Sequence, residues 1–104
     1  MISTVDKLRV SARRDSDPPT ELSEPLRALW LCEAGRWHEA HEVAQEIDTP
    51  LGSWIHALLH LIEGDISNAG YWYNRAGKRP ASATETAEEW DRIAEAALQP
   101  FDGR

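Results

Sequence analysis

The chain has 104 residues, of which 41% are hydrophobic and 28% charged, and a net charge of −7. That is one domain's worth of chain, with room for a single core. The acidic balance excludes the basic footprint that non-specific nucleic-acid binding requires, and it opposes adhesion to an anionic membrane surface. A lone cysteine, Cys32, excludes an internal disulfide framework and any cysteine-rich zinc module.

Residues 1–22 mix charges, serine and the Pro18-Pro19 pair without a sustained apolar period. A flexible N-terminal arm is expected there, with Val5, Leu8 and Val10 in a short extended piece. It contains no apolar stretch of signal-peptide length, and the longest apolar run, 54–62, is broken by His56 and His60 and is too short for a bilayer. A cytoplasmic protein is the expectation, with Cys32 packed beside Trp30 and Leu31 as a small apolar group.

One helical domain is expected over 23–99, followed by a C-terminal tail over 100–104. Ser23 before Glu24-Pro25 is an N-cap with first-turn residues, and Leu26, Leu29 and Trp30 keep helical spacing until Gly35. A second helix over 36–47 carries an apolar stripe of Trp37, Ala40, Val43, Ala44 and Ile47, with Glu39, Glu42 and Glu46 on the wet face. Thr49-Pro50 opens a third helix over 50–63, which Gly64 ends. Asp65 caps a fourth over 66–76, closed by Gly77 and Pro80. Ser82 or Thr84 opens a fifth, with Ala87, Trp90, Ile93, Ala94 and Ala97 on its apolar side and Glu85, Glu88, Asp91 and Glu95 towards water. No alternating strand pattern competes with these. The fold expected is all-α, about five helices joined by short connections and stacked as antiparallel hairpins.

The middle of the chain repeats itself. Gly35 and Ala40 stand in the second helical unit as Gly64 and Ala69 stand in the fourth, each pair 29 positions apart. Trp54, Ala57, His60, Gly64-Asp65, Ala69, Tyr73 and Ala76 form a pattern that resembles a tetratricopeptide repeat. The resemblance covers roughly 24–80 and implies helical hairpins that meet across small residues, with large ones filling the gaps. The string WIHALLHLIEGDISNAGYWYNRAG is also similar to the signature of a small uncharacterised family of bacterial and fungal proteins, which implies a helical fold and no particular activity. Two repeats are too few for an open solenoid. The fifth helix is therefore expected to cap the array, the alternatives being closure into a bundle or a homodimer.

The third helix is apolar nearly all round yet carries Ser53, His56, His60 and Glu63, the last three at i, i+4 and i+7 on one stripe. A polar stripe on a buried helix needs partners or a wet cavity. His41, beside Ala40 and Ala44 on the second helix, is better placed to join them than His38. His41, His56, His60 and Glu63 are thus candidates for a divalent transition-metal site or for acid–base catalysis. The plain alternative is that each histidine is a satisfied core residue bonded to a carbonyl, Asp65 or Tyr71. Neither His38-Glu39-Ala40-His41 nor the 56–60 segment has the zinc-protease pattern, and no phosphate-binding glycine loop or nucleophile elbow is present.

Asn68, Trp72, Arg75 and Arg79 follow i, i+4, i+7 and i+11 in a continuous ridge on the fourth helix. Trp and Arg together are favoured interface anchors, and Arg75, Lys78 and Arg79 are a compact basic cluster that suits a carboxylate, a phosphate or an acidic peptide. The plain alternative pairs Arg75 and Arg79 with the acidic fifth helix. Two functions follow as expectations. One is a non-enzymatic interaction or ligand-binding module, with a groove between the third and fourth helices for a protein, a peptide or a second copy. The other is a small metal-dependent or acid–base enzyme built on the His/Glu cluster.

Overall fold

The computed structural model describes residues 2–99. These form six α-helices: α1 Val5–Arg14, α2 Glu24–Glu33, α3 Trp37–Gln45, α4 Pro50–Glu63, α5 Ile66–Ala76 and α6 Thr86–Leu98, with a 3-10 turn at Ala83–Glu85 before the last. The described residues contain no strand, so the all-α expectation holds. The expected tail over 100–104 lies outside the described residues.

Local chemistry sets the helix ends. The side chains of Ser23, Thr49 and Asp65 accept hydrogen bonds from the backbone N–H groups of Leu26, Gly52 and Asn68. Each satisfies a donor that the first helical turn leaves open. At the end of α4 the Asp65 N–H donates to the His60 carbonyl at 2.9 Å and the Gly64 N–H to the Leu61 carbonyl at 3.1 Å. This closure needs a left-handed residue, and Gly64 takes φ +88° where any side chain would strain. Gly35 closes α2 the same way at φ +79°.

The central element is α4. Every residue from Gly52 to Leu61 is buried, and α5, α3, α6 and α2 all pack against it. The contact with α5 is close because small residues face it: Ala57, Ala69 and Ala76 are all buried. Gly52 is needed for a different reason, since a Cβ there would fall 2.2 Å from the Ile47 carbonyl oxygen. Four indoles each donate to a fixed acceptor: Trp30 to Ser11 Oγ, Trp37 to the Leu59 carbonyl, Trp54 to Glu89 and Trp90 to the Leu29 carbonyl.

The flexible arm expected over 1–22, and with it the count of five helices, is corrected. Thr4 caps α1 by accepting from the Lys7 N–H, and α1 docks on α2 and α6 with Leu8, Ser11 and Ala12 buried. Ion pairs from Arg9 to Asp91 and from Arg13 to Glu33 hold its outer side. Its inward stripe is Val5, Leu8, Ser11 and Ala12 at helical spacing, with Val10 half-exposed at 50%. That stripe is hard to see in the sequence because a serine and an alanine form half of it. On α6, Trp90, Ile93 and Ala94 are buried as expected, whereas Ala87 is exposed. The carboxylate of Glu89 is buried instead.

Candidate functional site

Three of the four expected cluster residues meet. His56 and His60 lie one turn apart on α4, where the run of buried residues drives both rings inward, leaving them 5% and 7% exposed. His41 reaches them from α3 and remains partly exposed. The ring centroids are 4.5 Å apart for His41–His56, 4.8 Å for His56–His60 and 5.2 Å for His41–His60. One ring nitrogen from each falls within 4.8 Å of those of the other two.

Two tryptophans wall this centre. Trp72 of α5 stacks on His56 with centroids 3.9 Å apart and planes 12° from parallel. Trp37 of α3 stacks on His41 at 5.0 Å and presents its edge to His60 at 6.2 Å. Trp37 itself is fixed by its 2.8 Å hydrogen bond to the Leu59 carbonyl. The rings are thus held from both sides, and they face one another.

Glu63 stands apart from the trio. It meets the centre through His60, whose Nδ1 is 3.5 Å from Glu63 Oε1. Within ligand distance its carboxylate groups with His60 and Asp65, and not with His41 and His56. The physical reason is its place at the last position of α4, where the side chain is exposed. The His60–Glu63 approach lacks hydrogen-bond geometry, so His60 Nδ1 is a buried nitrogen without a hydrogen-bond partner. The satisfied-histidine alternative, with a carbonyl, Asp65 or Tyr71 as acceptor, is therefore not met at that atom.

Burial, and then the neighbouring His41 and His60, push the His56 imidazole down to about 4. Burial and His60 also lower His41 from its ordinary value. Both rings are neutral near pH 7, the form that ligates a metal and not one poised to give up a proton there.

The α5 ridge divides. Trp72 is only partly exposed because its ring lies against His56. Tyr71, which the sequence analysis did not single out as a surface group, is the exposed aromatic at 55%. Arg75 lies 5.3 Å from the Trp72 ring and 6.0 Å from that of Tyr71. Asn68 bonds back to the capping Asp65. The expected pairing of Arg75 and Arg79 with the acidic last helix does not form, because the cation that reaches Glu89 and Glu85 is Arg92 of α6 itself.

The two helices expected to wall a groove, α4 and α5, pack directly on each other. A concavity of about 470 Å³ lies where Trp54 of α4, Lys78 and Arg79 after α5, and Glu85, Glu89 and Arg92 around the first turns of α6 converge. Glu89 forms its floor and was missed in the sequence. Its Oε2 accepts from Tyr73 Oη at 2.6 Å and Trp54 Nε1 at 2.9 Å, while Oε1 accepts from Arg92 at 2.8 Å. Burial works to raise its pKa, but the hydrogen bonds from Tyr73, Trp54 and Arg92 outweigh this and hold it below the ordinary value.

No known protein family, curated protein or solved structure matches the chain. Among the described residues no helix is long and apolar enough to cross a membrane.

Proposed function

We propose that this chain is a small interaction module, without chemistry of its own, that captures an acidic segment of a partner protein on the face formed by α5 and the turn after it. The supporting observation is one of charge. Arg75, Lys78 and Arg79 are exposed and make no ion pair among the described residues. Every other described arginine does: Arg9, Arg13, Arg14, Arg27, Arg36 and Arg92. In a molecule of net charge −7, three unpaired cations within positions 75–79 are a concentration that suits a negatively charged ligand, whereas the unpaired Lys7 of α1 stands apart from them.

Aromatic rings hold two of these cations. Lys78 Nζ lies 4.4 Å from the centre of the Trp54 ring, and Arg75 stands over Trp72. Side chains held in this way lose less entropy when a carboxylate arrives. Tyr71, Asn68 and the rim of Trp72 supply the less charged part of the contact. The helix arrangement fits a tetratricopeptide-like stack as its framework. The pairs α2/α3 and α4/α5 each turn at a left-handed glycine, Gly35 and Gly64, and α3 packs on α4 between them.

The test is fluorescence anisotropy with a labelled Glu/Asp-rich peptide. Binding should weaken as salt rises and fall about tenfold or more in Arg75→Ala/Arg79→Ala. Equal affinity in the double variant would remove the proposed face. Concentration-dependent mass of the chain alone, lost in the same variant, would assign the face to a second copy instead.

A further inference from the structure

We infer that His41, His56 and His60 form a binding site for one divalent first-row transition-metal ion, a site separate from the cationic face of α5 and independent of its role. Three imidazoles are a ligand set that zinc, cobalt, nickel and copper ions take readily, whereas magnesium and calcium prefer oxygen. The sequence separation of the ligands, one from α3 and two from successive turns of α4, is of the kind that brings three nitrogens around one point.

Geometry supports the assignment. On a zinc ion with bonds of about 2.0–2.1 Å, three nitrogens stand about 3.3 Å apart. Here they lie within 4.8 Å of one another, so closure asks for a ring movement of roughly an ångström and a half at most. The stacked Trp72 and Trp37 already orient His56 and His41.

The chemistry of the cluster without an ion is unfavourable in a specific way. His60 is 93% buried, being 7% exposed, and its Nδ1 has no hydrogen-bond partner. A buried polar nitrogen left open in this way costs free energy unless something satisfies it. The groups facing the trio from α3, α4 and α5 are Trp37, the histidines themselves, Trp72 and, beside His60, Glu63. None supplies a cation. Glu63 is the acidic neighbour of the site, its Oε1 3.5 Å from His60 Nδ1 without hydrogen-bond geometry, so that nitrogen stays open to an ion. Because His41 is partly exposed, the ion's remaining coordination positions open to solvent on that side and would hold water or a small anion.

The experiment uses the full-length, untagged chain, stripped with chelator and titrated at pH 7.5 with zinc and, separately, with cobalt. Expected is one ion per chain with Kd at or below about 1 µM and, for cobalt, visible d–d absorption that saturates at the same ratio. His41→Ala should weaken binding about 100-fold or more while keeping the helical circular dichroism of the parent, because its ring is the least buried of the three. His38→Ala, which alters the exposed neighbour, should bind as the parent does. His56→Gln and His60→Gln should lose binding in the same way. If either unfolds, the His41 and His38 pair still decides. No saturable uptake below about 100 µM, or equal affinity in His41→Ala, would overturn the assignment.

Discussion

Glu89 sits in a run, Glu88-Glu89-Trp90-Asp91, in which every carboxylate has the look of a wet helix face. It is nevertheless 3% exposed and gathers Tyr73, Trp54 and Arg92 around one carboxyl group. Removing a buried acceptor strands its donors, so Glu89→Ala should destabilise the fold by about 3 kcal/mol in urea unfolding, and Glu89→Gln by less. Its folded pKa is held below the ordinary 4.5. The unfolded chain therefore takes up the proton first, and the contribution is fully present above about pH 4.5 and lost as pH falls through the lower folded value. The stability gap between the parent and Glu89→Gln should accordingly narrow on acidification below that point, and a gap that widened would contradict the hydrogen-bond account. This residue was illegible in the sequence because two of its three partners, Tyr73 and Trp54, lie 16 and 35 positions away. The His56–His60 pair was legible because helical spacing alone aligns it. Glu63, three residues beyond His60, continued that stripe on paper but reaches the exposed end of α4.

Elements differ in how plainly their boundaries are written. For α4 and α5 the sequence expectation and the structure coincide at 50–63 and 66–76, since Thr49-Pro50, Gly64-Asp65 and Gly77 act locally. Gly64→Ala should therefore cost about 1–2 kcal/mol, readable as a lower melting temperature, without altering either helix. By contrast α1 depends on tertiary contact: its stripe contains one large buried side chain, and its serine is useful only because Trp30 Nε1 donates to it at 3.0 Å. Leu8→Ala should cost about 3 kcal/mol in denaturant unfolding. If α1 were the free arm that its composition suggests, the same change would be neutral. The apolar period of α6 misled at Ala87 and left Glu89 unplaced, because the helix is seated with Trp90, Ile93 and Ala94 inward, over α2 and α4.

At the scale of the molecule, the buried α4 joins two different surfaces. On one side its histidines meet His41 beneath Trp37 and Trp72. On the other, Trp54 supports Lys78 at the edge of the cationic face. Trp72 takes part in both, since it stacks on His56 and carries Arg75 near its ring. The two proposed roles nevertheless rest on separate groups, three imidazoles and three cations, and each can be removed without the other. Capture of an acidic segment by the cations can be read residue by residue, in backbone-amide NMR of the full chain during titration with a Glu/Asp-rich peptide at low salt. Saturable shifts are expected, concentrated at Tyr71, Arg75, Lys78 and Arg79 and disappearing on adding salt. Shifts confined to α1 and α2, or none at all, would contradict that capture.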